Sequence, residues 1–172
     1  EILFRTKLSE NLFKGLSPWM QKLPGGLIHV NVVGCALFAA ISGSSAATVA
    51  TVGKMSIPEL RKRNYPEKIL LGSLAGSGTL GLLIPPSIIL IIYGVAVQES
   101  IAKLFIAGII PGIMIALIFM SYVIIWSLIN KKSMPKIIEE YSFFEKIKRS
   151  KQLLPVIILI LAVIGSIYTG IA

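Results

Sequence analysis

Between Lys103 and Lys131 the chain carries no charged residue. Residues 104–129, LFIAGIIPGIMIALIFMSYVIIWSLI, form instead an apolar run longer than the ~20 helical residues that cross a bilayer. A run of this kind is stable in lipid or deep inside a large protein, and several other windows of the chain approach the same length. With 172 residues, 55% of them hydrophobic, and a mean hydropathy of +0.82, the chain is too apolar for a soluble domain of its size. It reads as an all-α polytopic membrane protein. The formal charge of +9 could suggest nucleic acid. The basic residues, however, sit in short runs between apolar segments, the pattern of cytoplasmic loops, and no nucleic-acid partner is expected. Cys35 is the single cysteine, lies in an apolar run and reads as a small packing residue.

The apolar segments are uneven. Residues 1–25 have apolar residues at helical spacing with Arg5, Lys7, Lys14 and Lys22 among them, and read as an amphipathic, interfacial segment. Residues 26–41 are apolar but short: a helix of this length rises about 24 Å, against a hydrocarbon core of about 30 Å. SGSSAAT follows, then a second weak arm that ends at Pro58 and Arg61-Lys62-Arg63. Both flanks of residues 26–63 are basic, so both belong on the cytoplasmic side, and two short arms with a polar tip describe a re-entrant hairpin. Residues 64–97 form an interrupted transmembrane helix, 98–130 a transmembrane span, 131–151 a basic cytoplasmic loop and 152–172 the start of another span. The basic loops then all fall on one side. The chain begins at Glu1 without an initiator Met and stops in an apolar run, which reads as an internal piece of a longer protein.

The interruption is GSGTLGLLIPPS, residues 76–87. Its start matches the GxGxxG dinucleotide pattern, but no strand precedes it and prolines follow at once, so that reading fails. In a helix the carbonyl of residue i accepts from the N–H of residue i+4. Pro85 and Pro86 have no N–H, so the carbonyls of Gly81 and Leu82 lose their helical donors and the helix unwinds. Gly72, Gly76, Gly78 and Gly81 weaken the approach to the break. A carbonyl left unpaired in a membrane costs several kcal/mol unless water, a side chain or a cation satisfies it. Secondary transporters place substrates and coupling ions at such breaks. Two places here offer free carbonyls and hydroxyls: the hairpin tip around Ser42, Ser44, Ser45 and Thr48, and residues 78–87.

SGSSAATVATVG, GSGTLGLLIPPSIILIIYG and ESIAKLFIAGIIPG, in this order, resemble the large membrane subunit of the tripartite ATP-independent periplasmic (TRAP) transporters, dicarboxylate-permease class. The resemblance covers roughly residues 20–130 and is looser beyond. It implies an elevator-type fold, of which about one repeat is present, and a bacterial inner-membrane location. It implies Na⁺ as the coupling ion, with ligands at Ser42 and Ser44 on the tip and at Gly81, Ile84 and Pro86 on the break. It also implies three partners: a small four-helix membrane subunit, a periplasmic substrate-binding protein, and a small organic anion such as a C4-dicarboxylate or sialic acid. Ser45, Thr48, Gly78, Thr79 and Ser87 are weaker candidates for lining the anion path, because they flank the starts of both half-helices. The alternatives are a stand-alone Na⁺/anion elevator symporter and a non-transporting scaffold subunit.

Other chemistries find little support. Ser44 and Ser45 lie in GSSA rather than GxSG, and His29 stands some fifteen residues away near the other end of its arm, so a serine hydrolase is not expected. The acidic residues all lie in loops or at segment ends, which disfavours a carboxylate proton relay within these residues and favours Na⁺ over H⁺. There is no metal-ligand spacing of His, Cys, Asp and Glu and no Walker-type loop, and no enzymatic activity is expected. Arg61-Lys62-Arg63 reads as a topology-setting loop that meets anionic lipid, Trp19 and Trp126 as interface anchors, and Lys103 as a snorkelling residue.

Overall fold

The computed structural model describes residues 8–135 and 141–168, and every regular element among them is helical. Arg5 and Lys7 of the interfacial segment, the middle of the 131–151 loop and the last residues of the final span lie outside the described residues.

Helix α1, Leu8–Met20, turns Leu12, Phe13, Leu16 and Ser17 to one buried stripe and leaves Lys14 and Trp19 outside. The chain reverses at Gly25 and Gly26, both at positive φ (102° and 54°), and passes through a single 3₁₀ turn into α2, His29–Ser42. Tyr65 stands against this reversal: its hydroxyl accepts from the Leu27 N–H at 3.0 Å, and a side chain on Gly26 would run into it. Helix α2 ends at Gly43, whose φ of +60° is the left-handed conformation that terminates helices and that glycine adopts without strain. Ser44 follows in extended conformation and caps α3, Ser45–Lys62, its Oγ accepting from the Ala47 N–H at 3.5 Å. Two residues thus join two antiparallel arms.

Pro66 precedes α4, Glu67–Gly78. A 3₁₀ stretch, Thr79–Leu82, carries the chain into the proline pair, which is joined by a cis peptide bond. Helix α5, Ile88–Val97, resumes beyond Ser87. Helix α6, Ile101–Ile129, is continuous through Pro111. Helix α7, Phe143–Ser150, opens on a capping box of Ser142 and Glu145 and leads through Lys151–Leu153 into α8, Leu154–Tyr168.

Helices α2, α3 and α4 pack on one another, and their shared interior holds Val30, Phe38, Val52, Leu60, Leu70 and Leu74, each at most 4% exposed. At roughly 1.5–3 kcal/mol for each fully buried large apolar side chain, this interior is the main source of cohesion. Helix α1 adds its stripe, and Val123 of α6 and Val156 of α8 reach the same core. The outer faces of α6 and α8 remain apolar and open, with Ile110, Ile129, Ile158 and Leu161 all exposed. Residues Ile101–Ile129 and Phe143–Ile167 are long and apolar enough to cross a membrane.

The hairpin tip and the broken helix

The tip between α2 and α3 is a knot of short hydrogen bonds. Ser42 Oγ lies 2.8 Å from Thr48 Oγ1 and also donates to the Ser44 carbonyl at 3.3 Å. The same oxygen accepts from the Ser44 N–H at 3.4 Å. Thr48 is fully buried, and Ser45 Oγ is buried without a partner among the described residues.

This tip is seated on the break after α4. The Ile88 N–H, at the start of α5, donates to the Gly43 carbonyl at 3.3 Å. A Cβ on Gly43 would lie 2.5 Å from the Pro86 carbonyl oxygen, and one on Gly81 would lie 2.8 Å from Ser45 N and 2.9 Å from Ser44 C. Glycine is required at both positions because backbone meets backbone there. Gly78 makes a similar approach to the Val49 side chain. On the opposite side, α6 supports the break with its own glycines: a Cβ on Gly108 would be 2.8 Å from the Leu83 carbonyl oxygen, and one on Gly112 would be 2.9 Å from Ile84 Cγ1. The break is therefore held between the hairpin tip and α6.

The two carbonyls released by the proline pair have different surroundings. Ser87 Oγ donates to the Leu82 carbonyl at 2.6 Å and also accepts from the Leu90 N–H at 3.4 Å, so one hydroxyl closes the gap left by Pro86 and caps α5. The N–H groups of Leu83 and Ile84 both go to the Leu80 carbonyl, and Pro85 has none to offer Gly81. No described hydrogen bond ends on the Gly81 carbonyl.

Of the residues singled out in the sequence, the structure brings Ser42, Ser44, Ser45 and Thr48 together with Gly78, Gly81, Pro86 and Ser87. Ile84 belongs to the same break, but its side chain faces Gly112 of α6. Thr79 stands apart: it is exposed, and its hydroxyl turns back to the Gly76 carbonyl at 2.7 Å. His29 is fully buried with Nε2 2.7 Å from the Pro24 carbonyl oxygen, at the other end of α2 from the serines. Trp126 is partly buried against the core, whereas Trp19 is exposed. Beyond the proline pair lies a cavity of about 210 Å³ lined by Ala40, Ile84, Pro85, Pro86, Phe105 and Ile109 among others, too apolar to hold a polar ligand. The described residues contain no cluster of three or more His, Cys, Asp and Glu side chains. A cation at the tip would therefore be bound by neutral oxygens.

Behind the tip lies a second polar cluster: the sequence allows Asn31 a partner within the domain but does not single out Ser73 and Ser77 as its neighbours. Asn31 of α2, fully buried, donates to the Leu70 carbonyl at 3.2 Å and to Ser73 Oγ at 3.0 Å, and Ser77 Oγ reaches the Asn31 carbonyl at 3.4 Å. The signal was the i, i+4 spacing of Ser73 and Ser77 on an otherwise apolar helix, opposite a lone Asn.

Helices long enough to span, a helix opened by prolines, and a hairpin tip gathering polar backbone at that opening define an α-helical membrane protein of the kind that keeps irregular backbone inside its own interior. Comparison with known proteins gives the family. The whole chain, residues 1–172, matches the family model described as "Tripartite ATP-independent periplasmic transporter, DctM component", and the chain belongs to that family. It is 40% identical over 147 residues to the C4-dicarboxylate TRAP transporter large permease protein DctM of Pseudomonas aeruginosa, which covers 85% of this chain and 34% of that protein. It is 34% identical over 165 residues to the sialic acid TRAP transporter large permease protein SiaM of Vibrio cholerae (95% of this chain, 38% of that protein). To the ectoine/5-hydroxyectoine permease protein UehC of Ruegeria pomeroyi it is 34% identical over 177 residues (99% and 39%). The chain thus spans little more than a third of the length of these relatives.

Proposed function

We propose that the chain is part of a secondary-transport permease of the inner membrane, which imports a small organic anion together with Na⁺ by an elevator movement. The observation that carries the reading is the seating of the hairpin tip on the break: Gly43 against Pro86, and Gly81 against Ser44 and Ser45. This contact gathers uncharged oxygens, the ligand type that suits a hard monovalent cation in a broken-helix site. Ser42 and Ser44 supply oxygens from the tip; Gly81, Ile84 and Pro86 supply carbonyls from the break. The Gly81 carbonyl, which the proline pair leaves without a local donor, is the ligand with least to lose on binding.

The same geometry suggests how ion and substrate are coupled. A cation held by neutral oxygens keeps its full charge. Helices α3 and α5 both begin beside it, with the positive ends of their dipoles turned toward the same place. An anion bound ~8 Å from the cation, at an effective dielectric constant of ~20, gains about 2 kcal/mol, or roughly thirtyfold in affinity. In this reading Ser45, Thr48, Gly78 and Ser87, gathered at the same contact, line the anion's path. Thr79, turned outward, is the weakest of that set.

The relatives' names specify C4-dicarboxylate, sialic acid and ectoine. The substrate here belongs among such small charged metabolites, delivered by a periplasmic binding protein to a large subunit that works beside a small four-helix one. The test is uptake of labelled organic acids into proteoliposomes holding the full-length protein, its small subunit and its binding protein. Uptake that requires both an inward Na⁺ gradient and the binding protein supports the reading. Gradient-driven uptake without the binding protein would replace it with a stand-alone symporter, and uptake indifferent to Na⁺ would defeat the coupling.

A further inference from the structure

Helix α7 has three sides, and two of them are engaged. Lys146 and Ser150 face α1: Trp19 Nε1 donates to Ser150 Oγ at 2.8 Å, and the Lys146 ammonium stands 5.5 Å from the Trp19 ring. Glu145 and Arg149 share the second side. Glu145 Oε2 accepts from the Ser142 N–H at 3.0 Å, and Arg149 Nη1 donates to the Tyr141 hydroxyl at 3.1 Å. The third side is apolar. Phe143, Phe144 and Ile147 fall within about 100° of arc at 3.6 residues per turn, and they are 70%, 77% and 44% exposed.

Three observations bear on what covers this side. The first is continuity. Helix α7 passes through Lys151–Leu153 into α8, where Leu154, Ile157, Ile158 and Leu161 are exposed in their turn, so the open apolar surface runs on into a helix long enough to cross a membrane. The second is charge. Lys148, one turn on from Phe144, and Lys151 are exposed and make no ion pair among the described residues. The whole segment 131–151 carries seven Lys and Arg against three Glu, so its acids do not balance its cations. The third is Trp19, an exposed indole at the same level, with its N–H turned to a serine. Aromatic and aliphatic side chains rimmed by lysines make up a helix that rests in the interface. A side packed on another span within the hydrocarbon would not carry lysines at its rim.

We propose that α7 is a membrane-surface anchor for anionic phospholipid. Phe143, Phe144 and Ile147 sink into the headgroup boundary of the leaflet from which α8 starts, and Lys148 and Lys151 bind the lipid headgroups beside them. The positive-inside rule makes this the cytoplasmic leaflet. Because Trp19 ties α1 to α7, the charge of that leaflet also sets the level at which α1 and the foot of α8 rest. The proposal rests on the membrane class of the chain and not on the transport reading.

The experiment places a cysteine-reactive fluorophore on Phe144→Cys in the full-length protein, read against the unsubstituted protein treated alike. The protein is reconstituted in phosphatidylcholine vesicles with and without phosphatidylglycerol. Three quenchers are compared: iodide on both faces, a lipid with a nitroxide near its headgroup, and a lipid with a nitroxide deep in its tail. With phosphatidylglycerol present, the shallow nitroxide should quench more strongly than the deep one or iodide. Adding Lys148→Gln and Lys151→Gln should lower the ratio of docked to free α7 about 25-fold, at roughly fivefold per cation, so that quenching by iodide rises and quenching by the shallow nitroxide falls. Strong quenching by iodide alone overturns the proposal, because the side then faces water. Quenching by none of the three also overturns it, because another part of the protein then covers the side. Shallow quenching that is the same without phosphatidylglycerol and without the two lysines overturns the recognition of anionic headgroups.

Discussion

Gly81→Ala is the sharpest test of the contact between tip and break. The new Cβ would meet Ser45 N at 2.8 Å, Ser44 C at 2.9 Å and Ser45 Cα at 3.0 Å, whereas ordinary contact begins at 3.4 Å. All three atoms are backbone, so no rotamer change relieves the clash; the tip must move by about 0.6 Å or the break must open. Overpacking of this kind costs about 1–3 kcal/mol, and here the cost falls on the seated arrangement that the proposed cation needs. The half-saturating Na⁺ concentration should therefore rise about 5- to 150-fold, at tenfold per 1.4 kcal/mol. The assay is initial uptake against external Na⁺ in proteoliposomes, with the melting temperature followed with and without Na⁺. Gly72→Ala is the control: it lies on α4, the helix that leads into the break, has nothing within 4 Å of its Cβ, and gains up to about 1 kcal/mol of helix propensity. It should leave the Na⁺ dependence unchanged. Wild-type Na⁺ dependence in Gly81→Ala, in a protein that melts normally, would refute the assignment of the site to this contact.

Three further outcomes follow from the same geometry. Gly43→Ala forces a Cβ into a φ of +60° and to 2.5 Å from the Pro86 carbonyl oxygen, so it should lower the melting temperature and uptake together, the left-handed backbone alone costing about 1–2 kcal/mol. Ser42→Ala removes the partner of Thr48 Oγ1; stability should fall by only about 1 kcal/mol, while Na⁺-driven uptake falls much further, as comparison of melting and transport will reveal. Asn31→Leu deletes the bonds to Leu70 and Ser73 behind the tip and should cost about 1–3 kcal/mol in melting experiments, with the half-saturating Na⁺ concentration unchanged in whatever protein folds.

What could be read in advance was local. Two adjacent prolines remove two donors at fixed offsets, so unwinding near Gly81 and Leu82 follows from covalent structure alone. The apolar runs give the helical class in the same way, and three motifs in register gave the family. The partners of the broken backbone were less accessible. Ser87 stands five residues beyond Leu82, and only the actual turn of the chain shows its hydroxyl reaching back to that carbonyl. The Gly43–Pro86 approach and the Asn31–Ser73 bond join residues about forty apart, a separation at which periodicity carries no information. Composition also made Thr79 equivalent to Thr48, although one faces outward and the other is buried at the tip.

The unequal fate of the two released carbonyls bears on how an ion would be gated. Leu82's carbonyl is closed by Ser87 within its own segment, and moving the hairpin does not change it. Gly81's carbonyl has no such partner among the described residues, and a Cβ on Gly81 would lie against Ser44 and Ser45, a contact that exists only while the tip is seated. A cation bound across this contact would draw oxygens from two segments held together, among the described residues, by the backbone hydrogen bond from Ile88 to Gly43 and by glycine contacts. Its affinity must fall when the tip lifts, because the Ser42 and Ser44 oxygens leave with it. By linkage, the ion then favours the seated tip by the same factor. Na⁺ would act as a latch between hairpin and break, and an anion arriving over the starts of α3 and α5 would meet a surface whose shape depends on that latch.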